Sequence, residues 1–74
     1  MASLCMHVIY DHPSDFPHHY VVRRHHVAGG RVVADRFAMP FDTLSGARSW
    51  CRALGLVSIG RLAEDDPAIA EVWT

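Results

Sequence analysis

The sequence predicts an α+β domain in which one helix covers one face of a single, mostly antiparallel β-sheet. Two observations favour this class. Several short segments rich in strand-forming residues are separated by Gly or Pro, and one stretch, Leu44 to Leu54, has helical spacing. A chain of 74 residues has the length of one domain, so residues 1–74 are predicted to fold as a unit. The predicted order of elements is β-β-β-α-β-β.

Five segments are predicted to be strands. The second and third form a hairpin around Gly29-Gly30, because primed two-residue turns need positive φ angles. A loop separates the first two strands, since residues 11–17 contain two Pro and two Asp and cannot continue a ladder. The predicted strand ranges are 4–10, 19–27, 31–39, 56–62 and 68–73.

The predicted helix is amphipathic. Its apolar residues recur at steps of three and four and fall on one face: Leu44, Ala47, Cys51 and Leu54. Asp42-Thr43 offers an N-cap, and Gly55 is a natural residue to follow the helix end. Arg48 and Arg52 are four residues apart and are expected to point away from the sheet. One helix covers one face, so the other face is predicted to be open.

The composition is that of an ordinary globular protein, with half of the residues hydrophobic and a fifth charged. No apolar run approaches the roughly 18 residues that a membrane span needs, and the first residues have no signal-peptide pattern. The sequence therefore predicts a cytoplasmic protein without membrane contact. Cys5 and Cys51 are expected to be free thiols, as is usual in a reducing compartment.

Charge is unevenly distributed along the chain. All seven basic residues are Arg. Residues 18–36 carry a net charge of +3, residues 63–74 carry −4, and the whole chain carries −1 with neutral histidines. A near-neutral total argues against a dedicated nucleic-acid binder, because such domains are usually basic overall.

The hairpin turn predicts which residues face each other. If Gly29-Gly30 is the turn, Val22 faces Phe37 and Tyr20 faces Met39 on the side that meets the helix. On the open side, Arg23 then faces Arg36 directly, with His25 on the same side. Facing arginines repel. Both turn into water or bind an internal acid such as Asp15 or Glu71, or they form a contact site for a partner.

Two aromatic residues are further candidate contacts. Phe16 lies in the proline-rich loop and either plugs the end of the core or is an exposed anchor, the residue type that dominates interfaces. Strand alternation groups Trp73 with Ile69 and Glu71, and Trp73 joins the open face if that group faces away from the helix. The predicted partner-binding residues are Asp11, Asp15, Phe16, Arg23, His25, Arg36 and Trp73.

Metal binding and catalysis have little support in the sequence. Of the six histidines, the pairs His18-His19 and His25-His26 are adjacent on strands or at their ends, and neighbouring strand residues point to opposite faces. The chain contains no C-x-x-C, H-E-x-x-H, P-loop or G-x-S-x-G pattern. We therefore expect no metal, no cofactor, no catalytic residue and no enzymatic activity.

A resemblance covers most of the chain. It rests on residues 8–13 (VIYDHP), 20–24 (YVVRR) and 65–73 (DDPAIAEVW). These segments resemble a group of short uncharacterised proteins of proteobacterial genomes and their phages. The resemblance implies no catalytic residues. Small phage and prophage proteins of this size also include anti-CRISPR proteins, which are single-domain, non-enzymatic inhibitors that block a surface of a Cas complex.

The expected function is therefore that of a small protein-binding module. Its size, the phage origin of the group it resembles and the Arg-rich open sheet face favour a phage or prophage inhibitor of a bacterial defence complex. Two alternatives stay open: a nucleic-acid-binding accessory protein that uses the Arg-rich sheet face, and a self-assembling structural domain. A homodimer is also expected, because a five-stranded sheet with one helix leaves edges uncovered and symmetric dimers are the commonest solution.

Overall fold

A computed structural model of the chain describes residues 4–61 and 67–74, and for Leu4, Ala34 and Asp35 it describes the backbone alone. In chain order the elements are β1 (Leu4–Asp11), β2 (Tyr20–Ala28), β3 (Arg31–Phe41), α1 (Leu44–Ala53), β4 (Ser58–Gly60) and β5 (Ile69–Trp73). The strands form one sheet in the order β3-β2-β1-β5-β4, with every neighbouring pair antiparallel. The predicted α+β class, with a single antiparallel sheet and one helix, is confirmed for the described residues.

The β2–β3 hairpin closes at the predicted turn. Gly29 and Gly30 have φ angles of 58° and 76°, and Ala28 pairs with Arg31. These angles are those of a type I′ turn, which glycine adopts without steric cost. The first part of the predicted register is correct, since His25 pairs with Ala34 and His26 with Val33.

Further from the turn, the predicted register is wrong. Arg23 pairs with Ala38 and not with Arg36, because residues 35–37 of β3 together oppose the single residue Arg24. Within this irregular stretch the Phe37 ring stacks on Trp50 of the helix, with 5.5 Å between ring centroids. The Arg24 guanidinium lies 4.5 Å from the centroid of the same Phe37 ring. The aromatic contact with the helix provides a physical reason for the extra residues in the strand.

The shift also changes the other predicted pairs of the hairpin. Val22 pairs with Met39, and Tyr20 pairs with Phe41. Because the register moves by two residues, each side chain keeps its side of the sheet. Tyr20, Phe37 and Phe41 accordingly pack against the buried core beneath the helix.

The helix begins and ends where local signals place it. The Thr43 side chain accepts a hydrogen bond from the Gly46 backbone N–H at 3.0 Å, which is the N-cap interaction. At the other end Gly55 has a φ of 78°, and its N–H donates to the Arg52 carbonyl at 2.9 Å. The helix buries Ala47 and Cys51 against the sheet.

The main core lies between the helix and one face of the sheet. Its buried members are Ile9, Val22, Ala47, Cys51 and Trp73. Cys5 and Cys51 are free thiols, and burial raises the pKa of the Cys51 thiol. Val8 and Val21 are also buried, at 4% and 0% exposure, yet they do not belong to this cluster. They lie on the face that the helix leaves uncovered.

The C-terminal half departs from the predicted strand ranges. β4 is shorter than the predicted 56–62, and Leu56 instead packs against the core while Val57 exchanges backbone hydrogen bonds with Thr74 at 2.9 and 3.0 Å. In β5, Glu71 pairs with Ile9 but Ile69 pairs with Tyr10, so Ala70 is an extra residue. This bulge separates Ile69 from Glu71 and Trp73, which strand alternation had grouped together.

Candidate binding face of the sheet

Strand alternation gives the two faces of β1 different roles. His7 and Ile9 point toward the helix, and Ile9 is part of the core. Met6, Val8 and Tyr10 point to the opposite face. We call this the open face, because within residues 4–61 and 67–74 the one helix packs on the other side.

The open face contains an apolar groove of about 310 Å³. All five strands contribute to it. Its aliphatic lining consists of Met6, Val8, Val32, Ile59, Ile69 and Val72. Val8 is buried, whereas Val32 and Ile59, which come from the two edge strands, are 64% and 57% exposed. The groove therefore has a buried floor and exposed apolar margins, and it is in the lower part of the size range of ligand sites.

Two polar side chains meet in this groove. A hydrogen bond of 3.3 Å joins Tyr10 Oη and His25 Nε2. Burial lowers the pKa of His25, and the positive charges of Arg23 and His26 lower it further. His25 is therefore neutral at physiological pH. The groove offers a partner an uncharged apolar surface with one hydrogen-bonding pair.

The proline-rich loop covers one end of the open face. Arg23 pairs with Val8 of β1, so its side chain lies on the open face. There it forms an ion pair with Asp15, and its guanidinium lies 6.0 Å from the centroid of the Phe16 ring. The loop is held by backbone hydrogen bonds, including that from the Phe16 N–H to the Pro13 carbonyl at 2.9 Å. The structure thus brings together three of the predicted contact residues.

The other predicted contact residues have different positions. Arg36 is exposed on β3 but does not face Arg23, so the expected pair of facing arginines does not exist. Asp11 is exposed, and its carboxylate contacts the His12 ring. Trp73 is 3% exposed and belongs to the core. The expectation that Trp73 adds an aromatic surface to the open face is therefore wrong.

Glu71 has a partner that the sequence did not indicate. Its carboxylate accepts hydrogen bonds from Arg48 Nε at 3.1 Å to both oxygens, from Arg48 Nη2 at 2.7 Å and from Trp73 Nε1 at 3.0 Å. The hydrogen bonds from Arg48 lower the pKa of Glu71. Arg48, which was expected to point away from the sheet, instead ties the helix to β5, while the Arg52 guanidinium lies 5.7 Å from the Trp73 ring centroid.

His7 is a buried titratable group on the helix side. It is 8% exposed, its ring centroid is 5.9 Å from that of Trp50, and its Nδ1 has no hydrogen-bond partner among the described residues. Burial lowers the pKa of His7, and the facing Arg24 and nearby His26 lower it further. The folded protein therefore holds His7 in its neutral form.

These two histidines predict a loss of stability in mild acid. Because the folded-state pKa values of His7 and His25 lie below the ordinary value of about 6.5, the unfolded chain binds protons first as the pH falls. The free energy of unfolding should therefore decrease from about pH 7.5 to pH 5.5, as urea unfolding at each pH will measure. The variant His7→Gln should flatten this slope, whereas Ser14→Gln, which changes an exposed position without a titratable side chain, should leave it unchanged. Stability that is constant or rises over this range would contradict the prediction.

The arrangement offers few groups that could hold a metal ion. In the part of the chain that the structure describes, no three His, Cys, Asp or Glu side chains are grouped as metal ligands would be. The described helix, with ten residues, is too short to cross a membrane.

Comparison with known proteins adds no relative. No family model, curated protein or solved structure matches the chain. The resemblance to short phage and proteobacterial proteins stays a prediction. The candidate site is accordingly defined by the groove, by the Tyr10–His25 pair and by the proline-rich loop that Arg23 contacts.

Proposed function

We propose that the chain is a small, non-enzymatic protein-binding module that receives its partner on the open face. The observation that carries this proposal is the apolar groove, to which all five strands contribute and which the helix leaves uncovered. Exposed apolar surface of this kind, when it is contiguous, marks interaction sites on soluble proteins. The partner we propose is a folded protein that inserts apolar side chains into the groove.

The chemistry of the groove supports a protein partner. Interface centres are depleted in charged residues and enriched in aromatic residues and Met. Among the described residues, the lining of this groove includes Met6 and Tyr10 and contains no carboxylate or guanidinium. The Tyr10–His25 pair provides a donor and an acceptor that can fix the orientation of a polar group at the end of an inserted side chain. His25 is the one predicted contact residue that lines the groove.

The loop end of the face supplies a polar rim. Arg23 and Asp15 neutralise each other there, and Phe16 lies beside them. Rim ion pairs contribute little affinity but favour one orientation of the partner. The kind of partner-binding protein that we propose is a phage or prophage inhibitor that blocks a surface of a Cas complex, which the size of the chain favours and with which a neutral, apolar binding face is compatible.

Nucleic acid is a weaker candidate for this surface. A nucleic-acid site needs free cations for phosphates and aromatic faces on which bases stack. On the open face Arg23 is ion-paired with Asp15, and the Tyr10 ring already contacts the His25 ring, with 6.3 Å between the ring centroids. We therefore expect binding that depends weakly on salt, since few phosphate counterions would be released.

A charge placed in the groove tests the proposal. Ile59→Asp should weaken binding at least about tenfold, or by roughly 1.4 kcal/mol, because a carboxylate would be desolvated against aliphatic side chains. The first partner to test is a purified Cas effector complex. If that complex does not bind, the partner is isolated by affinity capture from a bacterial host lysate and then purified. Binding is measured by calorimetric titration of the purified partner at two salt concentrations.

The matched control is Ser49→Asp, which adds the same charge at an exposed position of the helix. It should leave the dissociation constant unchanged. If Ser49→Asp abolishes binding and Ile59→Asp does not, the helix is the binding surface and the assignment to the open face is wrong. A partner that proves to be nucleic acid, with affinity falling steeply as salt is added, would overturn the proposal of a protein ligand.

A further inference from the structure

The outer edge of β3 exposes two adjacent valines. β3 is an edge strand of the sheet. The side chains of Val32 and Val33 point to opposite faces, and they are 64% and 55% exposed. An edge strand presents unpaired backbone groups, and natural proteins usually protect such an edge with lysine, proline or a bulge. Here the stretch from Arg31 to Ala34 is regular, and the irregularity of the strand begins only after Ala34.

The turn determines which backbone groups of this edge are available. In a two-residue hairpin the residues that flank the turn, Ala28 and Arg31, form a hydrogen-bonded pair. Such pairs alternate with non-hydrogen-bonded pairs in an antiparallel ladder. The N–H and C=O groups of Val33, which pairs with His26, are therefore hydrogen-bonded to β2. The N–H and C=O groups of Val32 and Ala34 instead point outward from the sheet.

We propose that two copies of the chain pair along this edge as an antiparallel dimer centred on Val33. In this register the outward N–H and C=O groups of Val32 in each copy form hydrogen bonds with those of Ala34 in the other copy, so the edge is complementary to itself.

Other registers use fewer of these groups. Centring the pair on Val32 would place Ala34 opposite Gly30, whose φ of 76° belongs to the turn and not to a ladder. Centring it on Ala34 would place Val32 opposite Arg36, which lies in the irregular part of β3. The opposite edge of the sheet is a poorer candidate, because β4 has three residues and its pairing with β5 is itself irregular.

The dimer would extend the binding face and not cover it. A two-fold axis perpendicular to the sheet leaves both open faces on the same side. Val32 lines the groove and is at the edge, so the two grooves would adjoin across the axis. A short strand pair buries less than a standard interface, and we therefore expect a dissociation constant in the micromolar range. This dimer does not depend on whether a partner protein binds the groove.

Sedimentation equilibrium tests the dimer. The wild-type chain should dimerise at micromolar concentrations, and Val33→Lys should be monomeric, because lysine at an edge blocks strand pairing. Val57→Lys at the other edge, where Val57 is 67% exposed, is the matched control and should dimerise as the wild type does. A wild-type monomer at all these concentrations, or a dimer that Val57→Lys disrupts and Val33→Lys does not, overturns the proposal.

Disulfide trapping tests the register. In a Cys5→Ser background, Val33→Cys should cross-link to its own copy, since facing residues of a non-hydrogen-bonded pair have Cα atoms about 4.5 Å apart, within disulfide range. Val32→Cys should cross-link slowly, because the same register sets the two Val32 positions diagonally, about 7 Å or more apart. Faster cross-linking of Val32→Cys would show that the dimer is not centred on Val33.

Discussion

Trp73→Ala should destabilise the protein by about 3–5 kcal/mol, the usual cost of truncating a buried Trp. Trp73 is 3% exposed, packs in the cluster with Ile9 and Cys51, and pairs with His7 across the sheet. For a domain of this size such a loss lowers the melting temperature by roughly 12 °C or more. Thermal unfolding followed by circular dichroism, together with urea titration, measures both quantities.

The control for this prediction comes from the groove. Ile59→Ala removes an aliphatic side chain that is 57% exposed, so it should change the free energy of unfolding little. If Trp73→Ala instead leaves stability intact and weakens partner binding, Trp73 belongs to the open face after all. The two variants thus distinguish the core from the candidate binding surface by direct measurement.

Local signals made much of the fold predictable from the sequence. Gly29-Gly30 gave the correct hairpin turn, because a type I′ turn depends on backbone angles that few other residues adopt. Thr43 and Gly55 marked the helix ends through capping interactions that involve only neighbouring residues. Such features are determined within a few residues of the chain, and a single sequence contains the information they need.

The errors arose where distant parts of the chain meet. Residues 35–37 oppose Arg24 alone while Phe37 stacks on Trp50, a contact between β3 and the helix that strand alternation cannot anticipate. The extra residue Ala70 in β5 likewise places Ile69 on the open face and Trp73 in the core. Both irregularities interrupt the two-residue period on which the assignment of faces depended.

The groove has a partial signal in the sequence. Met6, Val8 and Tyr10 alternate with residues of the helix side, so β1 is apolar on both faces. A central strand with two apolar faces needs other groups packed on both of them. In the described residues the helix covers one face of β1 and leaves the other open. The predicted contact residues are mostly charged or aromatic, Arg36 and Trp73 among them, whereas the surface that the strands build together is mainly aliphatic.

The groove and the β3 edge share one residue and make separable claims. Val32 lines the groove and also belongs to the edge, while Ile59 belongs to the groove alone and Val33 to the edge alone. Variants at Ile59 should therefore weaken partner binding without changing the monomer–dimer equilibrium. Variants at Val33 should shift that equilibrium toward the monomer, and they should alter partner binding only where a partner contacts both copies.

Glu71→Ala should cost about 2 kcal/mol of stability, because it would leave the indole N–H of the buried Trp73 without an acceptor. The Glu71 carboxylate has 17% of its side-chain surface exposed and also accepts three hydrogen bonds from Arg48, so its loss would release the helix from β5 as well. Urea unfolding at neutral pH measures the change. Because the folded protein lowers the pKa of Glu71, this stabilisation is present at neutral pH and is lost as the pH falls below about 4.5.

Glu71→Gln is the matched variant for this prediction. Its amide oxygen can still accept a hydrogen bond from Trp73, but it carries no charge for Arg48, so the loss should be smaller than for Glu71→Ala. The acid-dependent part of the stabilisation should disappear in both variants, since neither can titrate at this position. Equal losses for Ala and Gln would mean that the Arg48 ion pair, and not the indole hydrogen bond, carries the effect. A neutral result for Glu71→Ala would mean that water satisfies the Trp73 indole in the folded protein, and the tie between the helix and β5 would then contribute nothing measurable to stability.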